Sequence, residues 1–261
     1  MSYKDKVFIV TGASQGIGKE LARQLLLEQA TVIITGRTLS RLEQTVQEFA
    51  ALGIISFVQA DMGKWADCKK VFDTVMHRYG RIDGLIHNAG MSAVGKVADL
   101  SPNVIDEIID TNIRGIVYLT KLALPAIRQT KGSILFIGSL AGMHGLPEYS
   151  LYSLSKMSLT AFAQSLHIEE AKQGVYVGLA QIGFTQNEQA KRTLSATGER
   201  IAIPVRNKLI TNKREVVAGR ILRQLYKRQF WGIHCKVGVA NYFMVRFFPR
   251  ILFQFFKWRY K

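Results

Sequence analysis

A chain of 261 residues, 48% hydrophobic and 21% charged, is long enough for one sizeable core and has the balance of an ordinary α/β domain, which excludes disordered and low-complexity classes. Cys68 and Cys235 are the only cysteines, too few for a disulfide framework and without the paired spacing of a metal site, so two separate reduced thiols and no metal are expected. The formal charge of +16 is concentrated: from residue 212 onward twelve Lys and Arg stand against Glu215 alone, placing +11 in the last 50 residues.

The start, "MSYKDKVFIVTGAS", passes from a few polar residues straight into an apolar run, with no separate apolar region and cleavage site of an export signal. No stretch offers roughly 18 uncharged apolar residues. A cytoplasmic chain without a membrane-spanning helix is expected.

Short β-rich runs then alternate with longer helical patterns. "KVFIVTG" precedes a helix over residues 19–29, "TVIITG" one over 39–52, and "IISFVQAD" one over 65–79; "IDGLIHNAG" precedes two helical stretches reaching about residue 129. "GSILFIGS" leads into a helix over residues 150–173 and then "GVYVGLAQIG". The strands are near-continuous Val, Ile, Leu and Phe, as expected when both faces of a parallel sheet are covered. Repeated β-α units of this size predict a doubly wound, Rossmann-like parallel sheet with helices on both faces, in a single domain over residues 1–240. The polar stretch 185–211 stands where such a fold carries a substrate-covering lid.

Between the first strand and the first helix, "VTGASQGIGKELA" supplies Gly12, Gly16 and Gly18. Glycines permit a tight turn and close backbone approach, and the helix N-terminus behind them attracts a pyrophosphate. The spacing is G-x-x-x-G-x-G rather than G-x-G-x-x-G. At the end of the second strand, where an acid would bind the ribose 2'-hydroxyl of NAD, the chain has "TGRTLSRL". Arg37, helped by Ser14 and Arg41, suits the 2'-phosphate of NADP(H), which is expected in preference to NAD(H).

The glycine turn, "HNAG", Ser139 and Tyr152-x-x-x-Lys156 occur in order, and in this conjunction the sequence resembles the short-chain dehydrogenase/reductase family over roughly residues 4 to 190. The resemblance implies that Gly12, Ser14, Gln15, Gly16, Ile17 and Gly18 line a pyrophosphate turn and that Asp61 and Met62 hold the adenine. Asn88, Ala89 and Gly90 would support the cofactor at the fourth strand, with Gly183, Phe184 and Thr185 beside the nicotinamide. Asn112, in "DTNIRG", matches a residue of a helix bend and a water-mediated proton path, and Ser139, Tyr152 and Lys156 match the catalytic triad, with Tyr152 and Lys156 also touching the cofactor.

The chemistry is coherent. Tyr152 and Lys156, four apart on a helix, share a face. Reducing a ketone requires a proton for the developing alkoxide, and Tyr152 would give it; a free phenol has a pKa near 10, and Lys156 with the oxidised nicotinamide would favour the phenolate. Ser139 would hydrogen-bond the substrate oxygen. His87 and His144 read as packed or loop residues. The reaction expected is hydride transfer between NADP(H) and a ketone or secondary alcohol, on an apolar or lipid-like substrate, in a homodimer or homotetramer. The alternatives are an inactive nucleotide-binding regulator or scaffold and a redox-neutral epimerase or dehydratase of the same fold.

Three departures from the family stand out: His87 before "NAG", Ile182 where Pro is usual, and Asn187 in the slot of a nicotinamide-contacting Thr. The fourth peculiarity is the tail, 241–261, whose end reads "FFPRILFQFFKWRYK". A helix starting at Pro249 aligns Arg250, Gln254, Lys257 and Lys261 in one polar stripe, with aromatic and aliphatic residues over most of the remainder. Such a helix suits peripheral contact with a membrane surface through residues 247–261, or packing over the chain's own pocket or a partner subunit. Nucleic acid is not expected as a partner, since no module for it accompanies the tail.

Overall fold

A computed structural model describes residues 1–186, 192–203 and 211–260. Asn187, Lys261 and most of the linking parts of the lid segment lie outside these described residues.

Seven strands form one parallel sheet: β1 (Val7–Val10), β2 (Thr31–Gly36), β3 (Ile55–Gln59), β4 (Gly84–His87), β5 (Ser133–Ile137), β6 (Tyr176–Gln181) and, after the short antiparallel hairpin of β7 (Arg192–Leu194) and β8 (Arg200–Ala202), β9 (Trp231–Ile233). The spatial order is β3-β2-β1-β4-β5-β6-β9. Ile9 lies opposite Ile33 on one side and Leu85 on the other. Every residue of β1, β4 and β6 is buried, which is why these strands lack hydrophobic alternation. The single doubly wound domain read from the sequence is the fold observed.

Helices cover both faces. α1 (Gly16–Leu27), α2 (Leu39–Phe49) and α7 (Arg214–Tyr226) bury Leu21, Leu42, Ile221 and their neighbours against one face. On the other, α3 (Trp65–Tyr79), α5 (Gly115–Thr130) and α6 (Ser150–Glu170) contribute Val71, Leu119 and Leu159. Phe136 of β5 is fully buried in this second layer, and truncating it to Ala would cost roughly 3–5 kcal/mol. Two of the helices show how the sequence sets their ends. α3 ends at Gly80, left-handed at φ +66°, whose N–H returns to the Met76 carbonyl. α4 (Pro102–Ile109) starts with Ser101 accepting from the Val104 N–H and with Pro102 in its first turn.

Between α4 and α5 the chain winds as a π-helix over Asp110–Arg114. Such insertions re-aim side chains and recur at functional sites. The bend brings the backbone against the loop after β3, where a Cβ on Gly115 would overlap the Met62 carbonyl.

The order of the sheet reverses beside β1, whose neighbours are β2 and β4. A crevice opens at the carboxyl ends of the strands there, the place where open α/β sheets bind ligands. Past β9 the chain forms α8 (Lys236–Phe247), which runs through residue 241, and α9 (Pro249–Arg259), with the break at Phe248.

Candidate active site

The glycine turn is built on β1 and braced by β4. Gly12 has φ +63° and backs onto Ala89, whose Cα would lie 2.8 Å from a Cβ at this position. The Asn88 amide donates to the carbonyls of Thr11 at 2.9 Å and Gly12 at 3.0 Å, and its backbone N–H donates to Thr11 Oγ1 at 3.0 Å. Gly16, at φ +61°, has no heavy atom within 4 Å of where a Cβ would stand, so the turn faces open space. Gly18 is different: it is buried behind the turn, where any Cβ would strike the Asn88 amide. It permits close packing of α1 and does not line the cleft.

In front of this turn lies a polar cleft of about 270 Å³. Gly12, Ser14, Gln15, Gly16 and Ile17 line it from the turn, Arg37 and Arg41 from beyond β2, Asp61 and Met62 from beyond β3, and Asn88, Ala89 and Gly90 from beyond β4. Of the remaining predicted cofactor residues, Tyr152, Lys156 and Thr185 also line it, and Gly183 and Phe184 do not. The two arginines are engaged: Arg37 Nη1 is 2.7 Å from Glu107 Oε1, and Arg41 Nη1 donates to Gln15 Oε1 at 2.8 Å. Asp61 Oδ1 accepts from the Gly63 N–H at 3.1 Å, shaping the loop in which it stands. Arg200, on the hairpin, also reaches the cleft; nothing in its local sequence marked it.

Ser139, Tyr152 and Lys156 come together from two elements. Ser139 follows β5 and caps a short 3₁₀ turn over Leu140–Gly142, its Oγ accepting from the Ala141 N–H at 3.2 Å. Lys156 is buried, and its Nζ donates to the Ile137 carbonyl at 3.0 Å. The same ammonium stands 5.9 Å from the centroid of the Tyr152 ring. Asn112 lies inside the π-helical turn, buried and outside both cavities. Its Oδ1 accepts from the Met91 N–H at 2.9 Å, and its Nδ2 donates to the Met91 carbonyl at 2.8 Å and Ser155 Oγ at 3.0 Å. It therefore ties the loop after β4 to α6, one residue from Lys156.

Beyond Tyr152 a second, mainly apolar cavity of about 670 Å³ opens. Ser139, Gly183 and Phe184 line this cavity and not the polar cleft, while Tyr152, Ile182 and Thr185 line both. Thr185 and Asn212 pair as an isolated bridge flanking the stretch 185–211. Its hairpin is pinned to the loop after β4 by Ser92 Oγ and Thr193 Oγ1, 2.8 Å apart.

The histidines differ. His87 is buried, stacked on Phe136 with ring centroids 5.1 Å apart and 2.8 Å from Thr120 Oγ1; burial pulls its pKa down to about 3. It is a neutral packing residue. His144 lines the apolar cavity, with Nε2 3.1 Å from Asn241 Oδ1 of α8 and its ring 5.3 Å from Phe256 of α9. These contacts draw α8 and α9 over the cavity, with Val237, Phe256 and Tyr260 forming part of its wall.

A nicotinamide dinucleotide fits the residues present. The left-handed Gly16 leaves open the space that a side chain would fill, and α1 starts at Gln15 without a capping side chain, which suits an anion at its N-terminus.

The family model described as short chain dehydrogenase matches residues 6–197. The chain is 32% identical over 199 residues to the 11-beta-hydroxysteroid dehydrogenase A of Sesamum indicum and 33% identical over 200 residues to the 11-beta-hydroxysteroid dehydrogenase 1A of Arabidopsis thaliana. Each match covers 75% of this chain and 57% of the relative's length. Among solved structures, a short-chain dehydrogenase from Streptomyces avermitilis superposes with a TM-score of 0.81 at 23% identity, over 97% of both chains; it shares the fold. With a match across 192 of its residues to an oxidoreductase family that binds nicotinamide cofactors, the chain belongs to the short-chain dehydrogenase family.

Proposed function

We propose that this chain is an NADP(H)-dependent oxidoreductase that interconverts an apolar ketone and its secondary alcohol, with Tyr152 as general acid and base. The observation that carries the reading is the position of Tyr152 between two cavities of opposite character: Lys156 lines only the polar one and Ser139 only the apolar one. A phenol at that junction reaches a carbonyl entering from the apolar side, while the cofactor side holds the neighbouring positive charge.

The glycine turn, Asp61 and the residues after β4 would hold the dinucleotide, and Arg37 with Arg41 its 2'-phosphate. When bound, its nicotinamide supplies or accepts the hydride. In the reducing direction Tyr152 donates its hydroxyl proton to the substrate oxygen. Ser139 donates a hydrogen bond to the same oxygen as charge develops there. The Lys156 ammonium, fixed by the Ile137 carbonyl, offsets the charge left on the phenol. Asn112, through Ser155 and Met91, holds α6 in register with the loop after β4.

The substrate class follows from the second cavity, whose walls include Leu140, Leu146, Ile182, Phe184 and Phe256. About 670 Å³ accommodates a drug-sized apolar molecule. The names of the two plant relatives, hydroxysteroid dehydrogenases, support an apolar alcohol or carbonyl.

The test is NADPH oxidation across ketones graded from small to steroid- and long-chain-sized. Stoichiometric conversion of ketone to alcohol, favouring bulky apolar substrates, is expected. Product formation with no net NADPH consumption would replace the reading by a redox-neutral reaction.

A further inference from the structure

The outer side of the C-terminal helix pair plays no part in the site. α9 divides its apolar residues between two surfaces. Leu252 and Phe256 turn inward and are half-buried, while Ile251, Phe253, Phe255 and Trp258 are exposed, Trp258 at 74%. α8 adds exposed Phe243 and Phe247, their rings stacked 6.0 Å apart. Arg250 and Gln254 border a shallow depression with Ile251, Phe255 and Trp258. Exposed aromatic side chains in this number on one helix pair mark an interaction site.

Charge selects its occupant. Arg246, Arg250 and Lys257 are exposed on the same two helices, while Arg259 borders the cavity, and the chain has no Asp or Glu after residue 215. A second copy seated on this face would bring these cations against their own counterparts with no acid on either helix to pair them. An anionic lipid surface instead takes up the aromatic side chains at headgroup depth and the cations at its phosphates. Among the described residues no helix is long and apolar enough to cross a membrane. With 11 residues, α9 lies along such a surface rather than through it.

We propose that the outer face of α8 and α9 is a docking surface for an anionic lipid bilayer, holding the apolar cavity against the membrane with α9 as the partition between them. Phe256, and Tyr260 just past the helix end, line the cavity, while the same helix presents Phe255 and Trp258 outward. The latch to the body of the domain is the loop between β5 and α6: His144 holds Asn241, and its ring packs against Phe256. Delivery of an apolar substrate from the bilayer rests on the oxidoreductase reading above; docking itself does not.

Co-sedimentation of the full chain with phosphatidylcholine vesicles, with and without phosphatidylserine, tests this. Binding is expected to require phosphatidylserine and to weaken with salt. Arg250→Gln with Lys257→Gln should weaken it about 25-fold, about fivefold for each cation, and Phe255→Ser with Trp258→Ser should abolish it. NADPH affinity, a check of folding independent of vesicles, should stay unchanged in both variants. Persistent docking in a chain that reduces no ketone would retain the surface and dismiss the reaction. Equal partition onto neutral and anionic vesicles would overturn the proposal, as would a concentration-dependent dimer lost in Phe255→Ser/Trp258→Ser without vesicle binding.

Discussion

The Lys156 ammonium stands 5.9 Å from the centroid of the Tyr152 ring, one helical turn away, yet of the two only Tyr152 reaches both cavities. This division separates binding from proton transfer. Tyr152→Phe keeps the ring between the cavities and removes the proton. Turnover of any ketone substrate is expected to fall about 10²–10⁴-fold, with NADPH affinity within a factor of about two of wild type by fluorescence titration. Comparable turnover in both proteins would remove Tyr152 as the proton donor.

What the sequence disclosed and what it hid divide along physical lines. The six principal strands were legible because burial on both faces forces runs such as "VFIV" and "GLIH". That Ser139, Tyr152 and Lys156 stand at two adjoining cavities was legible through four motifs in family order. The β7–β8 hairpin was not: its strands are three residues each, carry Arg192 and Arg200, and depend on Ser92, a hundred residues earlier. The fold-back of α8 and α9 was one of the readings that the tail left open, and the hydrogen bond between His144 and Asn241 that supports it has no mark in the sequence. The spacing of the tail showed a helix with a polar stripe, but only tertiary contacts decide that Phe256 turns inward while Phe255 turns out. Gly18 shows the converse, a motif residue whose work is packing.

The pairing of Arg37 with Glu107, 70 positions apart, bears on cofactor choice. Both side chains are more than a third exposed, so the pair is worth about 0–1 kcal/mol, less than a charge-assisted phosphate contact to the same guanidinium. On the proposed reading a 2'-phosphate would therefore displace Glu107. Glu107→Gln should tighten NADPH binding by up to about fivefold and leave NADH unchanged, while Arg37→Ala should erase the difference between the two cofactors. Titration of both proteins with both cofactors checks this, and an Arg37→Ala protein that still discriminates would relocate the 2'-phosphate.

Acid stability follows from His87. Burial holds its folded-state pKa at about 3, below an unfolded value of about 6.5. At pH between these values the unfolded chain binds a proton that the folded chain refuses, so stability is full above about 6.5 and falls by about 1.4 kcal/mol per pH unit as pH drops toward 3. His234, lowered to about 4 by burial and then by Arg220, works in the same direction. Urea denaturation at a series of pH values should show this slope, and His87→Asn, neutral and still able to meet Thr120, should remove the part due to His87. An unchanged slope would mean that the position is hydrated.

The inward turn of Phe256 has a consequence for selectivity. Its ring forms part of the cavity wall and packs 5.3 Å from His144, so Phe256→Ala enlarges the apolar cavity without touching Ser139, Tyr152 or Lys156. Small ketones lose a packing surface, and contacts of this size are worth about 1–3 kcal/mol, or 10–200-fold in kcat/KM. Bulky ketones gain room. The ratio of kcat/KM for a steroid-sized ketone over a small one should therefore rise at least about tenfold, with NADPH affinity unchanged because the ring lies outside the polar cleft. A constant ratio would place the bound substrate away from α9, deeper against Phe184 and Ile182.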